Sequence, residues 1–225
     1  MKHVEKLKPF PSELLDFATE VVVELRNAGH KAFCVGGCAR DTLLGIEPKE
    51  YDITTSATPE EVSEIFPHTV PIGVSFGVIL VIAGKYQFEV ATFRKDQNYS
   101  DGRHPDKVIY SSEEQEDVLR RDFTINALAI GLNTENYGAL VDPFQGLNDL
   151  SLGVIKTPLN PDTTYSDDPL RMLRAIRFAA QLDFTIEHDS FDAITKNSTR
   201  INIISKERVV TELHIIMLTE TPSKG

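Results

Sequence analysis

Tryptophan is absent from this 225-residue chain, cysteine occurs twice and methionine three times. Two thiols are too few for a disulfide framework or a closed zinc site. Cys34 and Cys38, four apart, therefore read as reduced thiols of a cytoplasmic protein. No apolar run approaches the roughly 18–20 residues that a membrane-crossing helix needs, so no membrane partner is expected. The opening Met1-Lys2-His3-Val4-Glu5-Lys6 lacks the apolar core and cleavage pattern of a secretory signal, and none is expected. Positive charge is also scarce: 23 Lys and Arg against 34 Asp and Glu leave a formal net charge of −11. Nucleic-acid binders usually show a basic face, because phosphate contacts dominate affinity. Any grip on RNA here must rest on a few local arginines or on surface outside the chain. At 41% hydrophobic and 25% charged the chain is globular, long enough for one ordinary domain or two small ones.

Hydrophobic periodicity gives the organisation. Ser12 suits an N-cap and Gly29 a C-terminal stop for an amphipathic helix with Leu14, Leu15, Ala18, Val22 and Leu25 on one face. A short strand over Lys31–Val35 meets Gly36-Gly37, then a short helix over Arg40–Leu44 ends at Gly45. Tyr51–Thr55 is rich in β formers, and Pro59 opens a helix through Phe66. Two apolar runs, Phe76–Ala83 and Tyr86–Phe93, flank Gly84-Lys85 and predict a hairpin. Lys95–Ser112 is polar and reads as a long loop, a class that is functional or disordered. Beyond Pro161 the pattern is helical, over Asp167–Leu182, Glu187–Asn197 and Ser205–Leu218. Strands first and helices later predict an α+β head with a helical extension, divided near 150–162 where Gly153, Pro158 and Pro161 cluster.

Three groups of residues carry chemistry. Gly36-Gly37-Cys38-Ala39-Arg40-Asp41 joins a strand to a helix. Adjacent glycines let backbone N–H groups approach phosphate oxygens, the helix N-terminus favours anions, and Arg40 is placed to clamp a phosphate. The spacing is neither that of a dinucleotide-binding turn nor that of a P-loop. Glu50 and Asp52 are two apart, so on a strand they share a face and can share Mg²⁺, which bridges phosphates and activates a hydroxyl. Glu89, between Phe88 and Val90, is a lone charge in an apolar strand and a candidate third carboxylate.

In combination these residues resemble a known signature. The run Gly36-Gly37-x-x-Arg40-Asp41-x-x-Leu44-Gly45, then Glu50-Tyr51-Asp52-Ile53 and Thr55-Ser56-Ala57-Thr58-Pro59, is similar to the class II tRNA nucleotidyltransferases and bacterial poly(A) polymerases. The likeness continues through Glu89-Val90-Ala91-Thr92-Phe93, Arg120-Arg121-Asp122-Phe123-Thr124-Ile125-Asn126-Ala127, Asp142-Pro143-Phe144-x-Gly146 and Asp167-Asp168-Pro169-Leu170-Arg171-Met172-Leu173-Arg174-Ala175-Ile176-Arg177-Phe178. It spans roughly residues 30–215.

The resemblance implies a polymerase-β-like nucleotidyltransferase head over 1–155, with a mixed β-sheet and flanking helices, and a helical neck over 156–225. It implies Mg²⁺ on Glu50 and Asp52, with Glu89 beside them, and CTP, ATP and a tRNA 3′ end as partners. Arg120, Arg121 and Asp122, expected at a helix start, would contact the incoming nucleotide and its ribose, with Asn126 in the same motif. Asp168 and Arg171, three apart on a helix, would present a carboxylate beside a guanidinium. Asp accepts from N4 of cytosine or N6 of adenine while Arg donates to the adjacent ring acceptors, and uracil and guanine offer a carbonyl where Asp needs a donor. Arg174 and Arg177 match residues that hold the triphosphate. Tyr99, Asp101 and Arg103, with Pro105, fall in the flexible loop that CCA-adding enzymes need for terminal A addition, and here that loop has full length.

Two departures matter. The family usually has Asp where this chain has Glu50, and one methylene moves the carboxylate by about 1.5 Å. Mg²⁺ tolerates little distortion, so turnover is expected to be slow unless the site has repacked. Family members also usually continue into body and tail domains that hold the tRNA. Those are expected to be absent here, with a homo-oligomer or another chain supplying their grip. The leading expectation is C and A addition to tRNA. Alternatives are an A-adding specialist or poly(A) polymerase, and a weakly active or inactive nucleotide- or RNA-binding head.

Overall fold

The computed structural model describes residues 2–3, 10–97, 99, 102, 105–132 and 137–225. The chain folds into two compact units, each assembled from three stretches. The first takes Met1–Lys95, Val108–Arg120 and Asn126–Pro143, and the second takes Asp96–Lys107, Arg121–Ile125 and Phe144–Gly225.

Strand β1 (Lys2–His3) precedes α1 (Glu13–Asn27). The Ser12 side chain caps α1 by accepting from the Leu15 N–H at 3.2 Å, relieving one of the orphan donors of a helix start. Its buried stripe is Leu15, Ala18, Val21, Val22 and Leu25. There follow β2 (Ala32–Val35), α2 (Gly37–Leu44), β3 (Asp52–Thr55) and α3 (Pro59–Ile65). Thr58 and Glu61 close a reciprocal capping box on α3. Then come β4 (Thr69–Gly73), β5 (Val78–Ala83) and β6 (Tyr86–Thr92).

The predicted Gly84-Lys85 hairpin is present, with Gly84 at φ 59°. A Cβ there would lie 2.5 Å from Phe17 Cζ, so the left-handed conformation favours glycine and a side chain would displace the Phe17 ring. Where the sequence reads as a loop over Lys95–Ser112, two short strands, β7 (Arg94–Gln97) and β8 (Lys107–Tyr110), pair as a ribbon. β7 is polar throughout and offers no apolar pattern, whereas Val108, Ile109 and Tyr110 of β8 are strand formers that the loop reading passed over. Helix α4 (Glu114–Leu119) and strands β9 (Ala129–Ile130) and β10 (Ala139–Val141) complete this part.

The main sheet is eight-stranded in the order β1-β10-β9-β2-β3-β6-β5-β4. It is mixed: β3 and β6 pair in parallel, while the other neighbours are antiparallel. Phe33, Ile53, Ile79, Phe88, Val90 and Phe93 are buried in its core.

The second unit contains α5 (Gly146–Leu152), β11 (Val154–Ile155), α6 (Pro161–Asp167), α7 (Leu170–Leu182), β12 (Thr185–Ile186), α8 (His188–Asn197) and α9 (Lys206–Met217). Strands β11 and β12 form a small parallel ladder. Phe123 meets Phe178 edge-on, with ring centroids 5.8 Å apart. The pattern predicts one helix over Asp167–Leu182, but α6 ends at Asp167 and α7 starts at Leu170. Pro169 is the cause. A residue before proline is pushed out of the α region, and Asp168 adopts φ −141°, ψ 100°. Its side chain then accepts from the Leu170 N–H at 3.0 Å. Among the described residues no helix is long and apolar enough to cross a membrane.

Candidate active site

In the first unit the predicted phosphate turn and one of the predicted carboxylates come together through strand register. Val35, the last residue of β2, lies opposite Asp52, the first of β3. Gly36-Gly37 therefore turns beside Asp52. Gly36 sits at φ 75°, ψ −128°, a region essentially closed to side-chain-bearing residues. Its N–H donates to the Leu128 carbonyl at 3.1 Å, while α2 begins at Gly37 with its first N–H groups lacking intrahelical partners. Ile53 pairs with Val90 in the parallel ladder, which sets Asp52 and Glu89 level on neighbouring strands. Ile53 and Val90 are buried, and side chains alternate along a strand, so Asp52 and Glu89 share the opposite face. Glu89 is exposed and Asp52 partly so.

Glu50 corrects the sequence expectation. It lies outside β3, two residues before the strand starts, and is exposed. Glu50 and Asp52 would share a face only on a common strand, and β3 begins at Asp52. Tyr51 between them is buried, and its hydroxyl is pushed far above the ordinary tyrosine range, first by burial and then by the neighbouring thiols Cys34 and Cys38. Both cysteines are free and buried. Among the described residues no three His, Cys, Asp or Glu side chains gather closely enough to hold a metal by themselves. The donor set nonetheless suits Mg²⁺, which usually takes one or two carboxylates and leaves its other positions to water and substrate phosphates.

Arg40 is not placed as an open phosphate clamp. It is only 5% exposed, with Nε and Nη2 on Asp41 Oδ1 at 2.8 and 2.7 Å and Nη1 on Asn126 Oδ1 at 2.8 Å. It thus ties the first turn of α2 to Asn126, three residues before β9. Arg120 is at a helix end rather than the helix start expected: it is the C-cap of α4. The acids Glu114, Glu116 and Asp117 occupy the first turn of α4, so the sequence around Arg120 follows the helix dipole, acid first and base last. Arg120 donates through Nε and Nη2 to Asp117 Oδ1 at 3.0 and 2.7 Å.

The second unit carries Arg121, Asp122 and the arginine series. Asp122 precedes a single 3-10 turn over Thr124–Asn126; its Oδ1 accepts from the Phe123 N–H at 2.9 Å. Its Oδ2 takes Arg174 Nε at 2.8 Å and Nη2 at 2.7 Å. Asp122 and, more weakly, Glu212 hold Arg174 firmly cationic, above the ordinary arginine value despite burial. Arg177 bonds Glu212 Oε2 at 2.6 Å and Gln181 at 2.9 Å, and stacks 4.0 Å from the Phe178 ring centre. Burial lowers its pKa, and Glu212 opposes that. The two arginines expected to hold triphosphate are therefore already ordered by carboxylates.

Asp168 and Arg171 are neighbours, but not as two residues of one helix. Asp168 stands in the gap between α6 and α7, and the Arg171 N–H donates to its carbonyl at 3.0 Å. Its carboxylate also takes Arg208 Nη2 at 2.8 Å, while Arg171 Nη1 lies 3.5 Å from the Thr164 carbonyl. The adjoining Asp167 has its pKa raised above the ordinary 3.8, by burial first and by Asp96 as well, with Arg171 opposing. Tyr99 donates to Asp96 Oδ2 at 2.9 Å. Asp101 and Arg103, the other expected loop residues, lie outside the described residues.

Sequence reasoning missed Asp117, Arg208 and Glu212. The signal available for the last two is their i, i+4 spacing, which puts both on one face of α9.

Comparison with known proteins bears on the whole chain. Residues 32–156 match the family profile described as "Poly A polymerase head domain", and 183–225 match "Probable RNA and SrmB- binding site of polymerase A". The CCA-adding enzyme of Ligilactobacillus salivarius is 43% identical over 208 residues, covering 92% of this chain and 50% of that protein. That of Enterococcus faecalis is 41% identical over 213 residues, covering 95% and 51%. Among solved structures, the Bacillus stearothermophilus CCA-adding enzyme in complex with CTP superposes with TM-score 0.85 at 33% identity, covering 95% of this chain and 51% of that one. The Thermotoga maritima CCA-adding enzyme complexed with tRNA gives 0.83 at 29%, covering 99% and 52%. The chain spans about half the length of the curated relatives it matches.

Proposed function

Because the chain belongs to the poly A polymerase head-domain family, with a nucleotidyltransferase head fold, we propose that it adds C and A to the 3′ end of tRNA from CTP and ATP. One observation carries this reading: Asp52 sits beside the Gly36-Gly37 turn and level with Glu89 on a neighbouring strand. A phosphate cradle and two hard-oxygen ligands so juxtaposed suit attack of a terminal 3′-hydroxyl on an α-phosphate, with pyrophosphate leaving. CCA-adding relatives solved with CTP and with ATP have the same fold.

In this proposal the N–H groups at the start of α2 receive phosphate oxygens, and Asp52 with Glu89 and Glu50 would hold Mg²⁺. The ion, when bound, neutralises phosphate charge and lowers the pKa of the attacking hydroxyl. Asp168 accepts the exocyclic amine of cytosine or adenine, and Arg171 donates to the ring. Asp122 contacts the ribose side, with Arg121 beside it. Arg174 and Arg177 meet the triphosphate with donors of the five per guanidinium that Asp122 and Glu212 leave over. Arg40 and Asn126 keep the Gly36-Gly37 turn in shape. The division into catalytic head and base-reading neck, and the role of the Tyr99 segment in A addition, belong to the same proposal. The cytoplasm is the proposed compartment, supported by the free thiols Cys34 and Cys38.

Glu50 favours a second reading in which turnover is reduced, since an exposed glutamate before the strand is a looser ligand than an aspartate on it. The test is incubation with tRNA lacking CCA, Mg²⁺, and each nucleotide alone or CTP with ATP. Sequential C and A incorporation is expected. A alone points to an A-adding specialist or poly(A) polymerase, and no incorporation with retained nucleotide binding points to a binding head.

A further inference from the structure

Asp117 is fully buried, 0% exposed, at the end of the first turn of α4. A favourable helix dipole does not explain its burial, because Glu116 beside it provides an acid with partial solvent access. A carboxylate taken wholly out of water needs charge-assisted partners. Two of its partners lie on different elements. Oδ1 takes both Nε and Nη2 of Arg120, and Oδ2 accepts from the Thr54 hydroxyl at 3.2 Å.

Thr54 fixes where this happens. It lies two residues beyond Asp52 on β3, so its side chain leaves the same sheet face, roughly 7 Å along. The same hydroxyl is 3.2 Å from the carbonyl of Ala91, which is two residues beyond Glu89 on β6. The Asp117 carboxylate therefore sits on the face that carries Asp52 and Glu89, one strand repeat away. Its Arg120 partner is anchored to that same face.

We propose that Asp117 is a positioning residue: it fixes the Arg120 guanidinium on the carboxylate face so that Arg120 meets the incoming nucleotide already oriented. Arginine carries many rotamers, and a nucleotide that must order it loses affinity. Two donors on one buried oxygen remove most of that freedom beforehand. The proposal rests on the proposed function and on the nucleotide-contacting role that the family resemblance implies for Arg120.

The test measures Kd for CTP and for ATP, with Mg²⁺, by equilibrium binding to the full chain, so that slow turnover does not obscure it. Asp117→Asn keeps the shape and removes the charge. Both nucleotides should bind about tenfold more weakly, the scale of one charge-assisted bond lost. Arg120→Ala should weaken binding at least as much, and the double variant no further than Arg120→Ala alone. If Asp117→Asn does not fold, Arg120→Lys keeps a cation but loses the two-donor grip, and it should weaken binding to the same degree. A lower Tm with unchanged Kd in Asp117→Asn overturns the proposal, as does an additive double variant or an Arg120→Lys that binds like the unmodified chain. Failure of the unmodified chain to bind either nucleotide would end the functional reading and this proposal together. Unaltered binding in the variants ends this proposal alone.

Discussion

Glu50 differs from the aspartate usual at its position by one methylene. An exposed glutamate ahead of β3 reaches the Asp52 face only by extending a side chain with one more rotor than aspartate. A misplacement of about 1 Å at a reacting centre costs roughly 100-fold in rate. Glu50→Asp is therefore expected to accelerate Mg²⁺-dependent single-turnover incorporation, by up to about that factor, with little change in nucleotide Kd. Equal rates would show that the site has repacked around Glu50. Asp167 gives a pH prediction. Its folded-state pKa is raised, chiefly by burial, so the stability it contributes is present below its unfolded pKa and lost as pH rises through the folded value. Asp167→Asn should raise Tm at about pH 7 and progressively less as pH falls toward about 4, followed by calorimetry. At this scale the sequence was readable where chemistry is local, as in Gly36 with its positive φ. It was not readable where a side chain's partner is far along the chain. Nothing near Arg40 announces Asn126, and nothing near Asp168 announces Arg208.

Helices and strands were legible where their own ends are written in the sequence. Ser12 caps α1 and α3 starts at Pro59 where the pattern placed them, and a Thr58–Glu61 capping box, not read from the pattern, secures that start. Short elements stabilised by neighbours were not. Strands β4, β9, β10, β11 and β12 have at most five residues, too few for a period to show. The break at Pro169 needed the preceding-residue rule set against a strong helical stripe. Helix α9 is the element whose role was least expected, since Arg208 and Glu212 brace Asp168, Arg174 and Arg177 from one face. Glu212 is 6% exposed between two guanidinium groups. Glu212→Ala removes a buried carboxylate shared by two partly buried guanidinium groups, of which Arg174 keeps Asp122, and should cost about 3 kcal/mol of stability in denaturant unfolding, the low end of the penalty for breaking a buried pair. A cost under about 0.5 kcal/mol, the size of ordinary surface changes, would show the contact to be incidental.

Across the whole molecule, the formal charge of −11 bears on the tRNA binding proposed above. Arg40, Arg120, Arg174, Arg177 and Arg208 are each bonded to a carboxylate, so these five guanidinium groups are already compensated within the folded chain. The affinity of this chain for tRNA should therefore fall with salt at a log–log slope no steeper than about −3, as expected for contact with few phosphates. A much steeper slope, measured by filter binding, would reveal a basic surface that this charge distribution does not suggest. The α+β class was evident from strands preceding helices, and the mixed sheet follows from a single parallel pair, which no sequence period encodes.

That parallel pair also governs how the chain can vary by insertion and deletion. Asp52 and Glu89 are level because Ile53 pairs with Val90, not because of the length of chain between them. Helix α3, strand β4 and their connections can lengthen or shorten without separating the two acids. A slip of one position in the β3–β6 ladder turns Glu89 to the far side of the sheet. Length changes in the connections of the crossover are thus compatible with the paired acids, while a change of register in the ladder is not.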